Sequence, residues 1–288
     1  MEAVKKAFEA VCEKLPIEQT VPFEIKRGKT GIFDNKLGGV PYFPKSMEWP
    51  VGKTSDMAGK PLALLAQLNF ATIPHIPNFP EKGILQFFIA KDDQYGMTFD
   101  NETDSLEVLA RQDNFRVIYH KEIIEDASLL YSEEDMPVCR LSEEKEEFAL
   151  PFIGEYELIP QEPCKSFPNF FDYRFDDIFM EEYNKHAEDA VDCIADIPDE
   201  AWDELMELSG RVSPVAIGGY TEFTQEDPRE YDGLQVYDTC LFHVLSYYNE
   251  EDNVDILWGD SGTGNFFISS EDLKNLNFTN VLYNYDCG

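Results

Sequence analysis

Residues Ile256–Ile268 read I-L-W-G-D-S-G-T-G-N-F-F-I, and far earlier Gly83–Ile89 read G-I-L-Q-F-F-I. Both contain a glycine, two further residues, an amide side chain (Gln86 or Asn265) and then Phe-Phe-Ile. Successive side chains of a strand point to opposite faces. A Phe-Phe pair therefore demands cover on both faces, which places each of these strands in the middle of a sheet. Apolar runs precede both, Leu62–Phe70 and Leu241–Tyr248, and a glycine pair precedes each run, Gly38-Gly39 and Gly218-Gly219. Three features in the same order point to two related half-domains from an internal duplication, with Gly83–Ile89 lying on Gly262–Ile268.

Working outward, Leu62–Phe70 is expected to pair with Gly83–Ala90. Leu241–Tyr248 is expected to pair with Asp255–Trp258 and Asn265–Ile268 through short turns. Thr20–Ile25, Phe115–His120 and Val281–Tyr285 read as further strands. The glycine entering each F-F-I strand should supply backbone freedom. Val4, Phe8, Val11, Cys12 and Leu15 share one face of a helix that Pro16 ends. Phe171–Val191 has helical period. Pro198–Leu208 reads as another helix, stopped by Gly210, and Ser270 as the cap of a short one. Between Gly31 and Pro50, glycines and prolines enforce irregular backbone around Tyr42, Phe43 and Trp49. Acidic runs between Glu122 and Glu147 mark a solvated link. The expected fold class is α+β, mainly antiparallel β, with helices packed outside the two halves. Residues 1–121 hold the first half, 122–210 the link and helical segment, and 211–288 the second half, in one compact unit.

The chain has 288 residues, 43% of them hydrophobic, with 22 Phe and 14 Tyr, enough for a substantial core. Its formal net charge is -34, from 23 basic and 57 acidic residues. Such a surface repels nucleic-acid backbones and anionic membranes and favours basic partners. Six scattered cysteines include no C-x-x-C pair, which speaks against a zinc site or a disulfide framework. With a charged first fifteen residues and no membrane-length apolar run, reduced thiols in the cytoplasm are expected.

Motifs for chemistry are weak. Gly259-Asp260-Ser261-Gly262 resembles a serine-protease nucleophile stretch, but Thr263 follows where a glycine should, and no histidine sits in a matching context. Cys240 and His243 lie three apart, which on a regular strand sets them on opposite faces and forbids a couple. Two acidic groups, Asp100-Asn101-Glu102 with Asp104, and Asp252-Asn253 with Asp255 and Asp260, lack the order of a calcium loop. No phosphate-cradling glycine loop is present. No catalytic residue, metal or cofactor is expected. The remaining aromatic and amide set is Tyr42, Trp49, Gln67, Gln86, Trp258, Asp260 and Asn265. If the halves pack face to face, these seven could line one ligand cleft.

The first half carries L-G-G-V-P-Y-F-P, then W-P, P-L-A-L-L-A-Q-L-N-F and G-I-L-Q-F-F-I; the C-terminal part carries W-G-D-S-G-T-G-N-F-F-I, E-D-L and Asp286-Cys287. In this order the motifs resemble the bacterial YwqG-like family, a domain of unknown function, from about Leu37 to Cys287. The resemblance implies a mostly β, duplicated fold in a bacterial cytosol and, for some relatives beside toxin genes, an immunity role. It implies no catalytic residue. The expectation is a non-enzymatic cytosolic binding protein whose acidic surface docks a basic protein partner, in the manner of toxin immunity. The alternative is an enzyme or small-ligand binder that uses a cleft between the halves.

Overall fold

The structure, a computed structural model, describes residues 1–99, 106–137, 150–231 and 233–288. Helix α1 (Glu2–Lys14) leads into the ten-residue strand β1 (Glu18–Arg27), followed by β2 (Lys36–Gly38), β3 (Ala63–Asn69), β4 (Ile84–Ile89) and β5 (Phe115–His120). Next come β6 (Glu155–Pro160), β7 (Cys164–Ser166), α2 (Phe175–His186) and α3 (Asp199–Ser209). The last part is β8 (Val215–Gly218), β9 (Thr239–Leu245), β10 (Tyr247–Asn249), β11 (Val254–Ile256), β12 (Thr263–Ile268), α4 (Ser270–Lys274) and β13 (Val281–Asp286).

One sheet runs β13-β12-β9-β8-β1-β6-β2-β3-β4-β5, with β7 also on β1, and its strands pair antiparallel. β1 is the shared member: Thr20–Pro22 pair with β8, and Phe23–Arg27 with β6. The sheet curls until it is nearly a barrel. Its end strands β5 and β13 approach so closely that the Phe115 and Tyr283 rings lie 5.1 Å apart. Inside, Phe87 meets Phe242 at 4.8 Å and Phe266 at 4.7 Å. The fold is thus mostly antiparallel β with four α-helices among the described residues. Both F-F-I strands are central, and Phe87, Phe88, Phe266 and Phe267 are buried, as the Phe-Phe pairs require.

Shared local geometry extends beyond the sequence pattern. The β3–β4 register slips between Leu64 and Ala66, opposite Phe88 and Phe87. The β9–β12 register slips opposite Phe267 and Phe266, so that Leu241 is the extra residue as Leu65 is in β3. A bulge therefore falls between the two phenylalanines in both places. The glycine pairs match as well: Gly38 and Gly39 have φ of 66° and 73°, Gly218 and Gly219 of 68° and 73°. Side chains are rarely found there. A Cβ on Gly38 would also sit 2.8 Å from the Gly154 oxygen, and one on Gly218 2.6 Å from the Gln19 oxygen.

Several expectations need correction. Leu241–Tyr248 is not one strand: it breaks at Ser246, and its end pairs separately, Tyr248 against Asp255 in the β10–β11 hairpin. The Ser246 hydroxyl donates to the Gly262 carbonyl at 2.8 Å and accepts from the Trp258 N–H at 3.0 Å, which anchors the break. The helix expected over Phe171–Val191 covers only Phe175–His186. The residue that caps α4 is Ser269, whose hydroxyl accepts from Asp272 N–H, so the cap is one residue earlier than expected. Gly83 does use a positive φ, 89°, but Gly262 is required for space: a Cβ there would lie 1.9 Å from the Asp286 oxygen.

Away from the barrel core, Val4, Phe8 and Val11 of α1 meet Phe175 and Phe179 of α2 and Leu205 of α3 in a second core. Of the expected acidic link, Glu133, Glu134 and Asp135 are exposed, while Glu143, Glu144, Glu146 and Glu147 lie outside the described residues. Cys12, Cys164, Cys193, Cys240 and Cys287 are free thiols, and Cys139 lies outside the described residues. Among the described residues no helix is long and apolar enough to cross a membrane.

Candidate functional site

Since Phe87 points inward, Gln86 must point outward. On that face its amide donates to the Tyr42 carbonyl at 2.5 Å and to Gln67 Oε1 at 2.9 Å. Gln67 Oε1 also accepts from the Tyr42 N–H at 2.8 Å, and its amide donates to the Ile32 and Asp34 carbonyls at 3.0 Å each. His120 Nε2 lies 2.8 Å from Gln86 Oε1, an acceptor, so the imidazole carries its proton on Nε2. Burial lowers the His120 pKa to about 4, and the ring is neutral at pH 7. These groups clasp the Gly31–Phe43 loop onto the sheet. Every polar atom of the two glutamines is hydrogen-bonded, to that loop, to the other glutamine or to His120.

Asn265 plays the same part on β12. Its amide donates to the Glu222 carbonyl at 3.0 Å, and its oxygen accepts from the Thr221 hydroxyl at 2.8 Å. Glu222 stands three residues after Gly219, as Tyr42 stands three after Gly39. Asp286 stands opposite Thr263 as His120 stands opposite Ile84. Asp286 accepts from the Thr263 hydroxyl at 2.6 Å and from the Thr224 and Gln225 N–H groups at 3.0 Å each.

The seven residues expected at one cleft fall at three places. Tyr42, Gln67 and Gln86 are joined, and Trp49 is close by, 4.9 Å from Phe43 and donating from Nε1 to the Leu62 carbonyl at 2.9 Å. Asn265 sits in the corresponding network of the other half. Trp258 is buried against Gly264 between Tyr95 at 5.0 Å and Tyr285 at 5.7 Å, with its indole N–H unpartnered, while Asp260 is exposed in the following turn. The two amide networks face outward from different parts of the sheet, and phenylalanine fills the space between. Of the acidic groups weighed for a cation, Asp100, Asn101, Glu102 and Asp104 lie outside the described residues.

The Cys240–His243 expectation is overturned. Cys240 Sγ lies 3.7 Å from His243 Nδ1 because the bulge at Leu241 changes the strand's parity and brings both to one face. His243 Nε2 is 2.9 Å from the Ser213 carbonyl, so Nε2–H donates there and Nδ1 accepts from the thiol. Burial pushes the Cys240 thiol up to about 12 and His243 down to about 4. The couple is neutral and sealed from solvent, without the thiolate that a nucleophile needs.

Sequence reasoning missed an ionic cluster beneath the helices. Arg229 binds Asp227 at 2.6 Å and Asp172 at 3.3 Å, and Arg174 binds Asp172 at 2.7 Å. The Arg229 guanidinium lies 4.1 Å over the Phe267 ring. The repeated Asp-x-Arg, Asp172-Tyr173-Arg174 and Asp227-Pro228-Arg229, was the available signal. Burial pushes Asp172 up, but the hydrogen bond from Arg174 and the charge of Arg229 hold it below the usual range. Burial lifts nearby Glu18 to about 7.

Residues 188–207 contain nine Asp or Glu and no Lys, Arg or His. Glu188, Asp189, Asp192, Asp196, Asp199, Glu200, Asp203 and Glu207 are exposed; Glu204 is paired to Lys5 at 3.3 Å. Met206 is exposed on α3, one turn from the half-buried Trp202.

No curated protein matches the chain. Residues 35–287 match the family model described as a domain of unknown function, DUF1963. That span starts one residue before β2 and takes in both glycine pairs, both bulges and the clasp residues Gln67, Gln86 and Asn265, so the chain belongs to the DUF1963 family.

Proposed function

We propose that this is a non-enzymatic binding protein that docks a basic protein partner on the acidic face of residues 188–207. The observation that carries the reading is eight exposed carboxylates on one short segment with no cation among them. Trp202 and Met206, four apart on α3, supply an apolar strip beside those carboxylates. A field of one sign steers an oppositely charged partner and raises its association rate. The clasp amides of Gln67, Gln86 and Asn265 are spent on holding loop carbonyls, which supports binding over catalysis as the chain's task.

The same reading takes in a YwqG-like, bacterial, cytoplasmic protein with a role in toxin immunity; its support is the motif order given above. It also takes the two halves as copies of one duplicated unit, with the helices packed outside. The shared bulge, glycine pair and amide clasp support that descent. The test is capture of partners from the native cytosol at low salt, followed by elution with salt and identification. The expected result is a basic protein that leaves as ionic strength rises. Recovery of nothing basic would sink the reading.

A further inference from the structure

A cavity of about 650 Å³ opens where the barrel nearly closes. Its walls come from both halves: the β3–β4 connection, the end of β5, and the residues around the end of α4. We propose that this cavity binds a small organic anion, a carboxylate or phosphate carried on a flat apolar body. The proposal is separate from the acidic face in both place and sign.

Charge is the first argument. In a chain with 57 acidic and 23 basic residues, this cavity is lined by Lys82, Lys121, Lys274 and His75 against a single carboxylate, Glu81. Lys82 is neutralised by Glu122 at 3.0 Å, but Lys121 and Lys274 have no ion pair among the described residues. Two cations reached from opposite halves can hold one anionic group between them. Phe79, Pro80 and Leu276 give the same cavity apolar walls, and the Tyr119 hydroxyl is fixed by donating to the Lys82 carbonyl at 2.8 Å. Its volume suits a small molecule. Nucleic acid would have to approach against the net charge of -34.

Rigidity is the second argument. Pro74, Pro77 and Pro80 stiffen one wall. Two lining residues hold left-handed backbone without being glycine, Asn78 at φ 71° and Leu276 at φ 55°. Leu276 follows α4 in a helix-ending turn in which Asn277 N–H donates to the Asp272 carbonyl at 2.9 Å. That turn by itself favours glycine or asparagine. Leucine there costs backbone strain and puts an apolar side chain on the cavity wall. Strain of this kind gathers at ligand sites, and a preformed wall lowers the cost of binding.

The test is calorimetric titration of the full chain with phenyl phosphate, benzoate, inorganic phosphate and benzyl alcohol. At least one of phenyl phosphate and benzoate should bind, and which one names the head group. Benzyl alcohol and inorganic phosphate should each bind about tenfold more weakly or worse. The double variant Lys121→Gln/Lys274→Gln should lose about tenfold in affinity for the organic anion, while Lys29→Gln/Lys60→Gln, the same charge change elsewhere, should lose about twofold or less. All four lysines are exposed, so thermal midpoints of both variants should match the parent. Binding of neither organic anion, equal binding of benzyl alcohol or inorganic phosphate, or an equal loss in the control variant would each overturn the proposal.

Discussion

The two F-F-I strands share a skeleton and differ in what covers them. Around β4, the outward Phe88 lies under Phe43 at 5.9 Å and Trp49 at 5.7 Å, an aromatic cover joined by Tyr131. Around β12, the outward Phe267 lies under Phe223 at 6.0 Å and the Arg229 guanidinium at 4.1 Å, an ionic cover tied to Asp227 and Asp172. Main-chain demands are strict: the left-handed glycines, the bulge and the amide that holds a loop carbonyl have few substitutes, and both halves keep them. A cover has only to exclude water and fill volume. Aromatic rings do this by burying apolar area, and a guanidinium does it over a ring face when carboxylates satisfy its donors.

The largest expected effect probes what the halves share. Phe266→Ala and Phe87→Ala should each cost ~3–5 kcal/mol in chemical denaturation. Their double variant should show coupling of ~1 kcal/mol or more, because the rings touch. Strict additivity would mean that the halves do not share a core. Next, Arg229→Met should cost ~3 kcal/mol, since it leaves the buried Asp227 without its cation. Trp49→Phe on the other cover should cost less, ~1–2 kcal/mol. A reversed order would contradict the distinction between ionic and aromatic covers.

Acid should weaken both halves. His120 and His243 are held near pKa 4 by burial, whereas the unfolded chain protonates its histidines near pH 6.5. Between those values the unfolded state binds more protons, so stability falls as pH drops through that window and levels off below it. Each histidine contributes up to ~2–3 kcal/mol. In His120→Gln the difference between denaturation midpoints at pH 7 and pH 5 should shrink, and an unchanged difference would count against the clasp as described. Glu18, lifted to about 7 beside the ionic cover, works in the opposite sense: its folded form keeps a proton that the unfolded form releases above about 4.5, so its contribution falls as pH rises. The smallest effects should come from the clasps. Gln86→Met and Asn265→Leu should each cost ~1 kcal/mol by leaving buried carbonyls unpaired, and each should speed amide exchange in its own loop only.

Strands β1, β3, β4, β5, β12 and β13 were legible because Phe-Phe-Ile and alternating apolar residues act through local geometry, whereas β6, which lies between β1 and β2 in the sheet, fell inside the segment read as a link and helices. Helices α1 and α3 were legible from their apolar stripes and flanking prolines. What escaped reading depended on one-residue shifts or on distant partners. The bulge at Leu241 reverses the parity on which the Cys240–His243 expectation relied, and no residue near it signals an extra position. Gln86, Gln67 and Asn265 stood out as polar residues in apolar strands, but their sequence could not say that their partners are loop carbonyls. The Asp172–Arg229 cluster joins segments 57 residues apart, and only its repeated Asp-x-Arg hinted at it. The lysine-lined cavity depends on closure of the barrel, which brings Lys121 and Lys274 together from opposite halves.

The most direct test of the functional account is the salt dependence of binding to a short poly-L-lysine, measured on three proteins. These are the parent, a variant with Glu188, Asp192, Asp196, Asp199, Glu200 and Asp203 changed to their amides, and a control with the amides at Glu24, Glu81, Glu133, Glu134, Glu250 and Glu251 instead. The account predicts that the helical-face variant loses most of its low-salt affinity and has a shallower salt slope, while the control keeps both close to the parent. Equal losses in the two variants would show that the chain's overall charge, and not the face of residues 188–207, attracts the basic partner, and would contradict the account.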